Sequence, residues 1–237
     1  MLLRYPITIL IYLVPVILIS ITLHELSHAY CSYRLGDPTA KNMGRLSLNP
    51  LKHLDILGTL MILISGFGWA KPVPINPMYY RDRKKGSMLV ALAGPLSNVF
   101  LAITFSFPMA FLGSKYGKIP IENMFDINMT LFYSGFDFRV ILFNLSRFFY
   151  MININLAVFN ILPVPPLDGS KILSGILPQR QYFALMQYEN YIGVIFLILI
   201  FIFPGFLYKI MFPFIWLLET AIKSIAVPVL KLLAGVW

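Results

Sequence analysis

The amino-acid sequence predicts an all-α polytopic membrane protein with about five transmembrane helices and a re-entrant or interfacial segment. Three observations lead to this fold class. Hydrophobic residues make up 58% of the 237 residues and charged residues only 12%, and the mean hydropathy is +0.76. Several apolar runs approach or exceed the roughly 20 residues that a helix needs to cross a bilayer. Cys31 is the single cysteine, which excludes an intrachain disulfide framework and a thiolate metal cluster.

The apolar runs place the predicted helices along the chain. The predicted spans lie at about 7–33, 88–112 and 148–162, with one or two further spans at about 191–208 and 211–218. A partly polar helix from Phe138 leads into the third span. We therefore expect a single transmembrane domain over residues 1–237, with a core at about 7–175 and C-terminal helices at about 189–237.

Residues 40–77 follow a different pattern. The apolar run from Ile56 to Trp69 has about 14 residues, which is shorter than a usual span. Glycines and prolines interrupt the chain on both sides of it, and each proline moves the preceding residue out of the α region. This pattern predicts a segment that dips into the membrane or lies at its surface, with short β-strands near residues 40–77.

Charge predicts how the chain lies in the membrane. Between residues 34 and 85 there are three acidic residues and nine basic ones, at positions 34, 41, 45, 52, 71, 81, 83, 84 and 85. Basic loops stay in the cytoplasm, so a segment 56–69 that enters and returns keeps all nine on one side. The sequence thus predicts a multi-pass protein of the cell (inner) membrane with its N-terminus outside.

The same rule accounts for the net charge of +9. In a membrane protein, short basic loops contact anionic lipid head groups. We therefore expect the lipid bilayer as a partner and no nucleic acid.

A metal-binding motif lies at the end of the first predicted span. His24 and His28 are at positions i and i+4, so both rings project from one helix face and can share one metal ion. Glu25 is rotated away from the pair and can reach a water on that metal. The motif also occurs by chance on helices where histidines only pack, but ionisable groups inside a membrane helix are costly unless they bind something. Two imidazoles suit zinc, which in catalytic sites takes a third protein ligand.

Asp168 is the predicted third ligand. It follows three prolines that break the third span, and the backbone exposed there has to be buried in protein or face a water-filled cavity. For Asp168 to meet His24 and His28, an even number of crossings must separate them, which again makes 56–69 a re-entrant segment. Two alternatives stay open at this point: Asp168 as the N-cap of a helix that begins near Lys171, and His53 as the ligand in its place.

Three motifs together resemble the site-2 protease family of intramembrane zinc metalloproteases: His24-Glu-Leu-Ser-His28, Ala93-Gly-Pro-Leu-Ser-Asn98 and Phe159-Asn-Ile-Leu-Pro-Val-Pro-Pro-Leu-Asp-Gly169. Residues 34–77 resemble its small prokaryotic branch without PDZ or CBS domains, although Ile56 stands where a proline is common. The resemblance implies one zinc ion per chain, held by His24, His28 and Asp168. It implies Glu25 as the catalytic base and Asn160 as a residue that contacts the substrate backbone or helps to hold the site open. Hydrogen bonding between helices is the alternative role for Asn160 and the expected role for Asn98.

The chemistry implied is hydrolysis of peptide bonds in transmembrane protein substrates. A substrate must be extended at the cleavage point, because a helix hides its amides in hydrogen bonds, and residues 66–77 are a candidate edge for such a strand. A metal-ion transporter or channel is the main alternative, since buried His and Asp also line ion paths. The absence of repeated halves and the position of Glu25 beside His24 argue against it. A catalytically silent scaffold is less compatible with an intact Glu25.

Overall fold

The structure is a computed structural model that describes residues 6–65, 68–117, 120–126, 135, 137–178, 180–181, 184 and 187–234. In these ranges the helices are α1 (Ile7–Arg34), α2 (Thr39–Asn42), α3 (Ile56–Ser65), α4 (Arg83–Gly117), α5 (Phe138–Ile161), α6 (Asp168–Ile176), α7 (Glu189–Ile202) and α8 (Pro204–Ala234). Short 3-10 turns lie at Pro50–Lys52, Pro77–Tyr79 and Ile121–Phe125.

Four of these helices are long and apolar enough to cross a membrane: α1, α4, α5 and the part of α8 from Gly205 to Leu232. The prediction of an all-helical, multi-pass protein is confirmed. The fifth predicted span coincides with α7, whose 14 residues extend only about 21 Å at about 1.5 Å per residue. The count of about five crossings is therefore not confirmed, because α7 is shorter than a hydrocarbon core of about 30 Å.

The third span is longer than the hydropathy pattern suggested. Helix α5 begins at Phe138, where the Asp137 carboxylate accepts a hydrogen bond from the Arg139 amide and caps the helix. Its polar residues do not end the helix because they are buried inside the protein: Arg147 is 1% exposed and donates to the carbonyl of Met124 at 2.8 Å. In the most apolar 18-residue stretch of α5 half of the residues are buried, compared with a third in the corresponding stretch of α1. Helix α5 is therefore a central helix.

The hydrophobic core lies between α4, α5 and α8. Its buried members include Ala102, Met109, Ala110, Phe143, Tyr150, Ile154, Val158, Met211, Ile215, Ile222 and Ala226. One exposed ion pair, between Lys231 and Glu122 at 2.8 Å, also joins the end of α8 to the turn at Ile121–Phe125. Because exposed ion pairs contribute little, apolar packing holds α8 in place.

The short strands predicted near residues 40–77 are not confirmed. In the described part of this range the backbone forms one isolated antiparallel bridge, between Leu54 and Ala70. Residues 71–76 have no regular secondary structure, and Pro72 and Pro74 have no amide hydrogen to donate. The guanidinium of Arg45 donates to the carbonyls of Lys71, at 2.6 Å, and of Pro72, at 2.9 Å. A side chain therefore binds the backbone where a neighbouring strand would.

The buried carboxylate of Asp37 links segment 68–77 to the end of α1 by hydrogen bonds. It accepts hydrogen bonds from the hydroxyl of Ser32 at 2.9 Å, from the Thr39 amide at 2.9 Å and from the Asn76 amide at 2.8 Å. One side chain thus connects the last turn of α1 to the turn that follows it and to the residues before α4. As a result, residues 68–77 lie beside the histidines of α1.

Candidate metal centre

The two histidines of α1 and the first residue of α6 meet in the protein interior. His24 and His28 are 7% and 6% exposed. The Nε2 atoms of the two rings are 3.1 Å apart, and each lies 3.1 Å from Oδ2 of Asp168. The predicted residues therefore converge across a sequence separation of 144 positions.

Hydrogen bonds on the far sides of the rings select one tautomer of each neutral imidazole. His24 donates from Nδ1 to Oδ1 of Asn98 at 2.6 Å, and His28 donates from Nδ1 to the carbonyl of Val90 at 2.7 Å. A neutral imidazole with its hydrogen on Nδ1 has a lone pair on Nε2. Two lone pairs and a carboxylate oxygen then face one another, an arrangement that a cation stabilises.

The donor set and its spacing fit zinc. Two imidazole nitrogens and one carboxylate are a ligand set of catalytic zinc sites, which keep a further position open. Donors at about 2.0–2.1 Å from a tetrahedral zinc are separated by roughly 3.3 Å, close to the 3.1 Å found here. Among the described residues, His24, His28 and Asp168 form the group of His, Cys, Asp and Glu side chains whose ligand atoms lie close enough together, within 4.8 Å, to hold a metal ion.

Gly94 on α4 leaves space for such an ion. A Cβ at this position would lie 2.6 Å from Nε2 of His24 and closer still to Nε2 of His28. Any side chain here would occupy the space between the metal-binding atoms and α4. A glycine is therefore required by close approach rather than by backbone conformation.

The break after α5 orients Asp168. Helix α6 begins at Asp168 itself, with Leu167 at the N-cap position and no side-chain cap. The alternative that Asp168 is an N-cap is therefore wrong, because its carboxylate faces the imidazoles instead. Gly169 allows α6 to start directly against α5, since a Cβ there would overlap the carbonyl oxygens of Ile161 and Leu162.

The other predicted site residues lie in different surroundings. His53 is fully buried, donates from Nε2 to the carbonyl of Ser47 at 2.7 Å and is not part of the metal-binding group. Its ring closes the loop before α3, so the structure does not bring this rival ligand to the site. Asn160 is half-buried and donates to the carbonyl of Leu156 at 3.0 Å. Both Asn160 and Glu25 line one cavity with the three converging residues.

That cavity has a volume of about 890 Å³. It is bounded by α1, the start of α4, the end of α5, segment 68–77, the start of α6 and Phe196 of α7. Besides the residues above, its lining includes Trp69, Ala70, Pro72, Val73, Ile75, Arg83, Lys84, Phe159 and Lys171. A cavity of this size holds a stretch of peptide with several side chains.

The sequence model of Peptidase family M50 matches residues 12–203. The chain belongs to this family. M50 relatives include "Putative zinc metalloprotease YwhC" of Bacillus subtilis, 39% identical over 83% of each chain. "Putative zinc metalloprotease Rip2" of Mycolicibacterium smegmatis is 30% identical over 64% of this chain and 52% of its own length. "Zinc metalloprotease MJ0392" of Methanocaldococcus jannaschii is 25% identical over 68% of this chain and 33% of its own length. No solved structure matches the chain.

Membership of the M50 family identifies the protein as an intramembrane zinc metalloprotease, as the resemblance implied. The cavity beside the histidines gives this peptidase room for a peptide. Neither the relatives named above nor the part of the chain that the structure describes favours the metal-ion transporter that the sequence left open.

The structure also identifies residues of this M50 protein that sequence reasoning undervalued. Asn98 hydrogen-bonds between helices as expected: it accepts from His24, which is one of the converging histidines, and donates to Asn153 at 2.7 Å. Asn153 was not singled out at all, although it is fully buried and donates to Ser20 at 2.9 Å. Its signal was an asparagine in the middle of an apolar span, where polar groups need partners.

Proposed function

We propose that His24, His28 and Asp168 hold one zinc ion per chain and that Glu25 is the general base for hydrolysis of transmembrane protein substrates. The observation that carries this proposal is the meeting of two imidazole lone pairs and a carboxylate oxygen at 3.1 Å. The site lies beside a cavity that reaches the proline-rich segment 68–77. Peptide-sized space and a zinc-type donor set occur together there.

Each residue has a defined task in this mechanism. Zinc in this position supplies a Lewis acid that polarises the scissile carbonyl and makes a water acidic. Glu25 follows His24 directly and lines the cavity, so its carboxylate can take a proton from the attacking water and pass it to the leaving amine. The hydrogen bonds from His24 to Asn98 and from His28 to Val90 hold both rings in the metal-binding orientation.

The substrate enters as an extended chain in this proposal. Val73 and Ile75 line the cavity, and in an extended segment the amides of alternate residues point to the same edge. A substrate strand can pair with that edge by β-augmentation. In this proposal the side-chain amide of Asn160, which lines the same cavity, contacts the substrate backbone.

We also propose the orientation and organisation that the sequence predicted. Helix α3 has 10 residues and extends about 15 Å, so it enters the membrane and returns or lies at its surface. The basic residues of 34–85 then remain on the cytoplasmic side of the cell membrane, and the active site lies nearer that face. Residues 1–237 act as one transmembrane protease domain, in which 7–175 is the catalytic core.

The decisive experiment replaces the base and keeps the ligands. We expect Glu25→Gln to retain zinc, measured by elemental analysis of purified protein, and to lose about 10²–10⁴-fold in cleavage of a reconstituted transmembrane reporter. Glu122→Gln is the matched control, because it makes the same chemical change at an exposed ion pair far along the chain from the site. His28→Ala should lose zinc as well as activity.

Two results would contradict the proposal. One is a Glu25→Gln protein that cleaves at the wild-type rate. The other is a His28→Ala or Asp168→Ala protein that is folded and still carries a full equivalent of zinc.

A further inference from the structure

Three cationic side chains line the same cavity as the catalytic residues. Arg83 and Lys84 are in the first turn of α4 and Lys171 is in the first turn of α6. Among the lining residues the carboxylates are Glu25 and Asp168, and both are committed to the reaction and the metal. The cavity therefore presents an excess of positive charge to anything that enters it, and a divalent ion increases that excess.

Helix stability does not explain the two cations of α4, Arg83 and Lys84. The N-terminus of a helix carries partial positive charge, so lysine and arginine there are unfavourable and acidic residues are favoured. Helix α4 nevertheless begins Arg83-Lys84-Lys85, and the carboxylate nearest in sequence is that of Asp82, which precedes the helix and accepts a hydrogen bond from the Lys85 amide at 3.0 Å. An anion in the cavity would interact favourably with the side chains of Arg83 and Lys84.

Contact with lipid head groups explains only part of the basic run. Arg81, Arg83 and Lys85 are all exposed and Lys84 is partly buried, but Arg81 and Lys85 do not line the cavity, which suits head-group contact. Arg83 and Lys84, between them in sequence, do line it. Lys84 donates one hydrogen bond to the Leu177 carbonyl at 2.9 Å, which holds its ammonium group between α4 and the end of α6. An ammonium group has further donors for a second partner.

We propose that Arg83, Lys84 and Lys171 form a subsite that binds acidic side chains of the substrate next to the scissile bond. The preferred substrates are therefore membrane proteins with Asp or Glu in the segment drawn into the cavity. This inference rests on the proposed function, because it assigns a specificity to the same site. It differs from a lipid contact in that it discriminates between peptide sequences.

The test uses single-span reporter proteins co-reconstituted with the full-length protease in vesicles of uncharged phosphatidylcholine. The reporters differ only at two neighbouring residues beside the cleavage region, which are Asp-Asp, Asn-Asn or Lys-Lys. Each pair is placed at successive positions along the reporter to find the position at which it affects cleavage. Wild-type protease should cleave the best Asp-Asp reporter at least roughly fivefold faster than its Asn-Asn partner, the factor that about 1 kcal/mol provides. The double variant Arg83→Glu, Lys171→Glu should instead cleave the Lys-Lys reporter faster than the Asp-Asp reporter.

Lys85→Glu is the control for the Arg83→Glu half of the double variant, because it reverses one charge in the same helical turn but outside the cavity. It should keep the wild-type preference. Binding of the reporters to the inactive Glu25→Gln protein, followed by cross-linking, gives a second readout that does not depend on turnover. Zinc content and thermal stability show that each variant is folded.

Failure of this inference is distinguishable from failure of the proposed function. Equal cleavage and equal cross-linking of all three reporters in every register would overturn the acidic subsite while leaving the protease intact. An effect of Arg83→Glu and Lys171→Glu that appears only when phosphatidylglycerol is added, and equally for all reporters, would assign these cations to lipid and also overturn it. Absence of cleavage by wild-type protein, with preferential cross-linking of Asp-Asp retained, would refute the hydrolytic proposal instead.

Discussion

The side chain of Asn98 accepts a 2.6 Å hydrogen bond from His24 and donates one of 2.7 Å to Asn153. Asn153 in turn donates to Ser20 at 2.9 Å and to the carbonyl of Phe149 at 2.8 Å. A chain of buried polar groups thus runs from α4 to α5 and back to α1. The orientation of the His24 ring is consequently set by the packing of three helices.

We expect Asn98→Leu to weaken zinc binding by about 10–100-fold, because loss of the acceptor frees the His24 ring and its tautomer. Asn98→Asp retains an oxygen acceptor for His24 and should restore most of the affinity. Competition with a chelator of known zinc affinity measures both. If the leucine and aspartate variants bind zinc equally well, the hydrogen bond to His24 has no role in positioning it.

Gly94→Ala should abolish stoichiometric zinc binding. The added methyl group would lie within van der Waals overlap of both Nε2 atoms, so α4 or the histidines have to move. Gly205→Ala is the control, because a Cβ at that glycine meets nothing within 4 Å. Zinc content of the purified proteins, determined beside their thermal stability, separates loss of the site from loss of the fold. A Gly94→Ala protein with full zinc occupancy would show that the space beside Gly94 is not needed.

Val73→Pro should slow cleavage of a transmembrane reporter by roughly 3–10-fold, the loss of one hydrogen bond, and leave zinc content unchanged. The reason is that proline removes the amide proposed to pair with the substrate strand. Val73→Ala keeps the amide and shortens the side chain, so it separates backbone pairing from side-chain contact. Asn76→Pro is a poorer test, because the Asn76 amide already donates to Asp37. Equal rates for wild type and Val73→Pro would exclude pairing at this edge.

The lowered pKa of Asp37 leads us to expect a specific response of the loop after α1 to acid. Burial by itself would raise the pKa of Asp37, but hydrogen bonds from Asn76, Thr39 and Ser32 hold the pKa below its usual value. A carboxyl group with a depressed folded pKa stabilises the fold above its unfolded pKa of about 3.9 and loses that contribution as the pH falls through the folded value. The hydrogen bond from the Asn76 amide to the Asp37 carboxylate should therefore remain formed at neutral pH and weaken only below about pH 4.

Asp37→Asn tests this expectation, because it removes the negative charge and keeps the size of the side chain. The Asn76 amide should exchange its hydrogen faster in the variant at pH 7, where the wild-type carboxylate is ionised. Hydrogen exchange followed by mass spectrometry measures the difference. Identical protection of the segment containing Asn76 in the two proteins at pH 7 would contradict the role given to Asp37.

Local pattern was sufficient to predict the helices and part of the site. The spans at α1, α4 and α5 follow from runs of apolar residues, and the pairing of His24 with His28 follows from helical spacing alone. The choice of Asp168 over His53 needed more than local pattern, since it used a resemblance and a count of membrane crossings. The predicted strands are not confirmed in the described part of residues 40–77, because prolines without an amide hydrogen and the Arg45 side chain control the backbone there.

The sequence by itself determined that this is a helical membrane protein with a pair of metal-binding histidines, because hydropathy and helical periodicity are properties of neighbouring residues. Only the tertiary structure brought Asp168 to within 3.1 Å of both rings, connected Asn98 to Asn153 and placed Arg83 and Lys171 in one cavity. These relationships depend on how α1, α4, α5 and α6 pack. The sequence gives each of those residues a position on its own helix, but not the neighbour that the packing brings to it.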